Sequence, residues 1–331
     1  MNQNTTLFLS RCDVTVLLTV RDCIAAVEHA FRLYGEKRAA PPGMLGLHGQ
    51  DGAFHIKAGF LQLERSYFAA KVNANYPENG PRFGLPTIQG VIVLCDAENG
   101  RPLAIIDSME VTARRTAAAT AVAAKYLARR ESATLTLCGC GVQGQAQVRA
   151  LAAVLPLRRV FAFDADSQRA EQLAVALGRE LGIDIRAVRD LRSSVRESDA
   201  CVTCTTSRKP LLTDADVPPG MFLAAVGADH PEKQELDPVL MANCTIVADL
   251  VEQCASIGDL HHALISGMMN ISDLHAELGE VVVGAKPGRR SPEERIIFDS
   301  TGMALQDVAA AATVYERAIA IGRGSAVDLA A

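Results

Sequence analysis

The 331-residue sequence has no run of about 18 apolar residues, which excludes an ordinary membrane-spanning helix. It also has no basic stripe. Its 33 Lys and Arg are interspersed with 38 Asp and Glu, for a net charge of −5, and the pairs Arg114-Arg115, Arg129-Arg130 and Arg289-Arg290 stand apart. A general nucleic-acid surface needs clustered cations to pair phosphates, so no nucleic-acid partner is expected. No secretory signal is visible. Met1 to Ser10 is largely polar, and the apolar stretch Val14 to Val20 is short and lacks a strongly basic flank. The expectation is a cytoplasmic protein without a membrane partner.

The nine cysteines are an odd number, and several, such as Cys138 and Cys201, sit inside apolar runs. They read as buried, reduced thiols. Cys201 and Cys204 form a C-x-x-C with no second pair at zinc spacing, and no metal site is expected. His261-His262 reads as a surface loop pair. No internal repeat or low-complexity linker interrupts the chain.

What is present is a globular composition. Apolar residues make up 49% and charged residues 21%, enough for a substantial core, and the length suits two domains. The N-terminal third reads as α+β. Thr19-x-x-Asp22 starts a helix on which Ile24, Val27, Phe31 and Tyr34 recur at helical spacing. Ala39 to Gly52, rich in Pro and Gly, reads as turns. Strand-like runs follow at Phe54–Lys57, Tyr67–Val72, Thr87–Leu94 and Pro102–Ile106, with a hairpin-type turn at Asp96–Gly100. Val111 to Arg129 is Ala-rich without Pro or Gly and reads as a long helix.

From Ala133 strands and helices alternate. Six short apolar strands are expected at Thr134–Cys138, Arg159–Phe163, Asp184–Val188, Ala200–Cys204, Phe222–Val226 and Thr245–Ala248. That pattern is an α/β fold, a Rossmann-type doubly wound parallel sheet. A final Ala-rich helix, Met303 to Ile321, ends at Gly322 and completes the α+β N-terminal domain. The expected division is residues 1–115 with 303–331 for the α+β domain, and 116–302 for the Rossmann-type domain.

Gly139-Cys140-Gly141-Val142-Gln143-Gly144 fits G-x-G-x-x-G, follows a strand and opens a helix. The glycines permit a tight turn and close backbone approach to a pyrophosphate, whose charge meets the helix N-terminus. Asp164 ends the next strand, where an acid bonds ribose hydroxyls and repels a 2′-phosphate. NAD is therefore the expected cofactor, with NADP as the alternative. The competing role for Asp164 is to cap the following helix, a job that Asp166 or Ser167 can also fill.

The remaining site residues come from resemblance. Lys71-Val72-Asn73, Gly84-Leu85-Pro86-Thr87, Asn99-Gly100-Arg101-Pro102-Leu103-Ala104 and Thr112-Ala113-Arg114-Arg115-Thr116-Ala117-Ala118 resemble the ornithine cyclodeaminase/μ-crystallin family. So do Gly227-Ala228-Asp229-His230-Pro231-Glu232-Lys233-Gln234-Glu235-Leu236, Glu277-Leu278-Gly279-Glu280 and Phe298-Asp299-Ser300-Thr301-Gly302. The likeness runs in order over almost the whole chain.

The resemblance implies a homodimer acting on a small amino or imino acid, with residues 1–115 and 303–331 for substrate binding and dimerisation and 116–302 for NAD(P). Lys71 and Arg115 match the carboxylate binders, Lys71 is also placed among the catalytic residues, and Asp229 matches the proton-transfer acid. Thr301 matches a substrate contact. Thr87, Arg115, Val142, Gln143, Thr205, Lys233 and Ser300 join Gly139, Gly141, Gly144 and Asp164 as cofactor contacts. Two departures stand out. The arginine that cyclodeaminases carry after the turn near Pro42 is missing, and Lys57 stands where many members have Met. Lys57 is the candidate replacement for that positive charge. Glu232 replaces the usual Gly.

Hydride transfer at the α-carbon leads to three branches: an amino-acid dehydrogenase, an imine reductase, or an ornithine cyclodeaminase. Asp229 favours an enzyme. The alternative is a μ-crystallin-like protein that binds NAD(P) and a ligand without turnover. The lack of a convincing catalytic His–Asp/Glu pair argues against a 2-hydroxy-acid dehydrogenase.

Overall fold

The computed structural model describes residues 5–329. These form two compact units, one from the chain up to Arg115 and again from Met303, the other from Thr116–Gly302.

The first unit is built on a seven-stranded sheet. Its strands are β1 (Thr5–Leu9), β2 (Gly43–His48), β3 (Ala53–Gln62), β4 (Ser66–Asn75), β5 (Ile88–Asp96), β6 (Pro102–Asp107) and a terminal strand, Ser325–Asp328. The spatial order is terminal strand, β1, β6, β5, β4, β3, β2. All pairings are antiparallel except β1 with β6. Strand β2 corrects the expectation of turns throughout Ala39–Gly52, because Gly43–His48 pairs residue for residue with Ala53–Ala58. It is an exposed edge strand. Backbone hydrogen bonds hold it between Pro and Gly residues that look like breakers. Strand β1 lies in a stretch that reads as polar, yet Leu7 and Leu9 are buried.

Side chains alternate between the faces of a sheet. Lys57, Gly59 and Leu61 of β3 share one face, and the C-terminal helix Ala304–Ile321 packs against β3 and β4. This helix is buried nearly all round, as expected of one pressed between a sheet and another helix. The other helix is Val20–Gly35. Its Ile24, Val27 and Phe31 are buried, and Thr19 caps it by accepting the Asp22 N–H.

The second unit holds a sheet of eight parallel strands. They are β7 (Thr134–Cys138), β8 (Arg159–Phe163), β9 (Asp184–Ala187), β10 (Ala200–Thr203), β12 (Phe222–Ala225), β14 (Thr245–Ala248), β15 (Ala276–Glu277) and β16 (Ile296–Asp299). A separate short ribbon pairs β11 (Arg208–Leu212) with β13 (Gln234–Leu236). The order is β15-β14-β16-β12-β10-β7-β8-β9. The doubly wound parallel sheet expected from the alternation is therefore present. Strands β15 and β16 add to the six anticipated. Strand β16 sits mid-sheet between β14 and β12, although only four residues long. The strands β10, β12 and β16 are buried throughout, which parallel sheets covered on both faces require. Among the described residues, no helix is long and apolar enough to cross a membrane.

Gly90 on β5 lies so close to β4 that a β-carbon there would overlap the Val72 carbonyl and the Asn73 side chain. Gly90→Ala is expected to lower the unfolding free energy by about 1–3 kcal/mol, the usual scale of overpacking, measured by urea denaturation.

Candidate active site

The chain leaves β7 toward β8 and β9 on one side, then crosses back to β10 on the other. The order thus reverses at β7, and doubly wound sheets bind ligands at such a point, beyond the carboxyl ends of the strands. Here the loop Gly139–Gly144 follows β7 and Thr205 follows β10. Gly139 has φ +103°, a left-handed conformation that favours glycine. A β-carbon on Gly144 would overlap the Gly139 carbonyl oxygen, so the helix Val142–Ala152 can start this close to β7 only with glycine there. Nothing lies within 4 Å of the space a Gly141 β-carbon would take. Among the described residues, no side chain caps the N-terminus of this helix. Its first N–H groups therefore face an open approach suited to an anion.

Asp164 stands at the end of β8. Its Oδ2 accepts the Cys140 N–H at 2.7 Å and its Oδ1 the Asp166 N–H at 2.9 Å, which fixes the carboxylate beside the glycine loop. The cap of the following helix is Asp166, which accepts the Gln168 N–H. Gly139, Gly141, Asp164, Arg169 and Thr205 line a cavity of about 530 Å³. The donor set fits a dinucleotide: an open glycine turn and the N–H groups of a helix start for a pyrophosphate, and a fixed acid for a ribose.

Further along the same edge, β12 leads into Gly227-Ala228-Asp229 and β16 into Ser300-Thr301. Five neighbouring strands, β8, β7, β10, β12 and β16, thus present their candidate residues in one row. With about 4.8 Å between strands, the row spans roughly 19 Å. Asp229 is exposed and pairs with Lys233 at 2.5 Å. Two residues with different expected tasks, proton transfer and cofactor contact, are here one ion pair. Ser300 and Thr301 are buried. Ser300 Oγ donates to Asp249 Oδ2 at 2.8 Å, and Thr301 Oγ1 accepts from Gln253 at 2.6 Å.

The first unit carries a different kind of site. Lys57 and Lys71 are register partners on β3 and β4, on the face that the C-terminal helix covers. Both are buried, as is Arg115 in the helix Ser108–Leu127. Their common anion is Asp307, near the start of the C-terminal helix. Lys71 Nζ lies 2.9 Å from its Oδ1 and 2.8 Å from its Oδ2. Arg115 Nε donates to Oδ1 at 2.9 Å, and Arg115 Nη1 donates to Gln306 Oε1 at 3.0 Å. That arrangement leaves the Gln306 Nε2 group, also buried, without an acceptor among the described residues.

Burial pulls Asp307 toward the neutral form, but the charges of Arg115, Lys71 and Lys57 outweigh it and hold the carboxyl below its ordinary range. Lys71 shows the opposite balance. Burial first, then the charge of Arg115, pushes its ammonium down to about 7. Lys71 can therefore take or release a proton near neutral pH. Thr87 lies elsewhere in this unit, exposed just ahead of β5, with its carbonyl accepting the Tyr76 N–H at 2.8 Å.

The family model for ornithine cyclodeaminase/mu-crystallin proteins matches residues 4–321. The chain belongs to this family. The alanine dehydrogenase of Archaeoglobus fulgidus is 38% identical over 322 residues, covering 97% of this chain and 98% of that one. A solved archaeal alanine dehydrogenase dimer with bound NAD superposes with a TM-score of 0.93 at 38% identity, over 98% of this chain and 99% of that one. The Δ1-pyrroline-2-carboxylate reductase of Thermococcus litoralis, in complex with NADH and L-proline, gives 0.92 at 32% identity, over 97% and 100%. The iminosuccinate reductase of Paracoccus denitrificans, in complex with NAD+, gives 0.90 at 33%, over 98% and 100%.

Asp307 and Gln306 are the partners of Lys71 and Arg115 that the sequence motifs do not reveal. They lie just beyond the quoted segment Phe298–Gly302, in a run of alanines that looks like plain helix. A signal was available: an Asp in the first turn of an otherwise apolar helix is either a dipole partner or a buried counter-ion. His261 and His262 also need correction. They belong to the helix Asp259–Ile265, half-buried, with ring nitrogens 3.0 Å from the Ala255 carbonyl and 2.8 Å from the Lys233 carbonyl. Among the described residues, no group of three or more His, Cys, Asp or Glu side chains is arranged to hold a metal ion.

The lowered Lys71 sets a pH dependence. Between about 7 and its unfolded value of 10.5 the unfolded chain holds a proton that the folded chain has lost. The contribution of this group is therefore full above the unfolded value and is lost as pH falls to the folded one, at about 1 kcal/mol per unit. Lys71→Met is expected to remove that rise from the unfolding free energy measured from pH 7 to pH 10. An unchanged slope in the variant would remove Lys71 as its source.

Proposed function

We propose that this protein moves hydride between NAD(P) and the α-carbon of a small amino or imino acid. The first unit binds the acid and the second unit the cofactor. The carrying observation is the buried group of Lys57, Lys71, Arg115 and Asp307 with the unsatisfied Gln306 Nε2 beside it. A buried donor without an acceptor is costly, and buried cations gathered on one face draw an anion. One substrate carboxylate meets both. The guanidinium offers it a planar fork, and the lysines offer point charges.

NAD, when bound, supplies or accepts the hydride. The chain's own residues do the rest. Arg115, Lys71 and Lys57 fix the carboxylate, with Lys57 standing in for the cyclodeaminase arginine that the sequence lacks. Lys71, able to titrate near neutrality, exchanges a proton with the amine or imine nitrogen. Asp229, with Lys233 beside it, handles the second proton at the sheet edge. The relatives' names divide among dehydrogenases, imine reductases and cyclodeaminases, and the proposed site suits both directions of the hydride step they share.

The outer face of the first sheet supports a homodimer. Leu45, Leu47, Phe54, Phe60 and Val91 point to the side away from Lys57 and Lys71 and are exposed. Exposed apolar residues grouped on one sheet face mark an association surface. A second copy of this chain, packed sheet to sheet, is the proposed partner. Light scattering should give a dimer mass for the wild type and a monomer mass for Phe54→Lys/Phe60→Lys. A monomeric wild type would overturn this assignment.

Activity is tested by reduced-nicotinamide absorbance. NAD is offered with alanine, ornithine and proline; NADH and NADPH are offered with pyruvate plus ammonia, oxaloacetate plus ammonia, and cyclic imino acids. Turnover of one of these is expected. Arg115→Met should raise KM for the acid roughly 10- to 100-fold, the scale of a lost charge-assisted bond. Lys57→Met should raise KM as well, and Asp229→Asn should lower kcat by roughly 10²–10⁴-fold. Proline made from ornithine without net NADH change would move the assignment to cyclodeaminase chemistry. Cofactor binding with no turnover of any substrate would favour a ligand-binding protein.

A further inference from the structure

The second unit buries four carboxylates behind the row of strand ends: Glu235 on β13, Asp249 just after β14, Asp259 at the start of the helix Asp259–Ile265, and Asp299 at the end of β16. Each holds part of the rim. Glu235 Oε1 accepts the Thr205 N–H at 2.6 Å and the Thr205 hydroxyl at 2.7 Å, while its Oε2 accepts the Gly227 N–H at 2.9 Å. Glu235 thereby ties the loop after β10 to the loop after β12. Asp249 Oδ2 accepts from Ser300 Oγ at 2.8 Å and from the Gly302 N–H at 2.7 Å, holding the loop after β16.

Asp259 and Asp299 connect these two holds. Asp259 Oδ1 accepts the N–H groups of Glu235 and Leu236 at 2.8 and 2.9 Å. Asp299 Oδ2 accepts the Leu260 N–H at 2.8 Å, which brings the turn Gly258–Asp259 against the end of β16. That approach is close, since a β-carbon on Gly258 would lie 2.6 Å from Asp299 Oδ2. Each of the two carboxyls has one oxygen left over. Asp259 Oδ2 and Asp299 Oδ1 are buried and have no hydrogen-bond partner among the described residues.

We infer that Asp259 and Asp299 share one proton, held between these two bare oxygens, and that the resulting acid–carboxylate pair is the positioning clamp that sets the rim of the dinucleotide edge. A single proton makes one oxygen a donor and the other its acceptor, so it satisfies both orphans at once. The charged surroundings agree. The groups that act on the pair are the carboxylates of Glu235 and Asp249, with the Cys254 thiol against Asp249 Oδ1 and the Asp299 carbonyl. Burial, and then these negative neighbours, raise both aspartates above their ordinary range. The positioning role rests on reading this edge as the NAD site; the shared proton does not.

Asparagine is the discriminating substitution. In Asp259→Asn or Asp299→Asn the amide oxygen keeps the backbone acceptor role, and the amide N–H replaces the shared proton. The double variant sets two amide donors against each other. Infrared spectra of the folded wild type at pH 7 should show a protonated buried carboxyl band that shifts in D2O. Either single variant should lack that band. NADH affinity, followed by its own fluorescence in a protein without tryptophan, should stay within about threefold in the singles and weaken tenfold or more in the double, a change of about 1.4 kcal/mol. A wild type without the band, a band surviving in both singles, or a double that binds NADH as well as the singles would each overturn the inference. Should the double fail to fold, the two singles still decide through the infrared band. Failure of the wild type to bind NADH would strike the cofactor reading and leave the infrared result standing.

Discussion

The first unit depends on one carboxylate. Asp307 accepts from Lys71 and Arg115, and its charge is what lets two buried cations, with Lys57 behind them, sit on an otherwise apolar face. Removing one partner from such a group leaves an uncompensated buried charge, which costs about 3–5 kcal/mol, whereas the intact group contributes little net stability. The arrangement is therefore poorly explained as a staple. Its cluster of buried cations, its titratable lysine and its unsatisfied amide make better sense as a site prepared for an anion.

The two units solve the same problem with opposite signs. In the first, cations gather around a single acid, where the proposed substrate carboxylate would join them. In the second, acids gather behind the row of loops proposed to hold the dinucleotide, and backbone N–H groups satisfy most of their oxygens. Both keep side chains fixed before ligand arrives. Preorganisation of this kind is what allows a hydride donor and acceptor to meet without further ordering.

Most of the second unit was legible because its signals are local. The glycine loop, the strand before it and the acid after the next strand lie within about thirty residues, and Gly139 and Gly144 each answer a contact that a β-carbon would violate, while Gly141 keeps the turn open. Short buried strands announce themselves by composition, although Ile296–Asp299 escaped because it follows a charged, Pro-containing segment. The first unit was harder. Strand β2 is an exposed edge held by backbone bonds, and its Pro- and Gly-rich setting hid it. Asp307 was invisible for a different reason. Its meaning lies in partners 236 and 192 residues away, and nothing in an alanine-rich helix reveals which side chain will face two cations. The family resemblance supplied Lys71 and Arg115 as carboxylate binders; the geometry adds that an acid already stands between them.

The separation between those partners carries a consequence for how the protein is made. Lys71 and Arg115 leave the ribosome early, one on a sheet whose apolar face still lacks its cover and the other on the helix Ser108–Leu127. The helix that brings Asp307 follows only after the whole of Thr116–Gly302 has been synthesised. A nascent chain can thus complete its second unit first, with the first unit left open. Closure of that unit then waits for the helix that carries residue 307, and chains cut short before it lack the anion that Lys71 and Arg115 share.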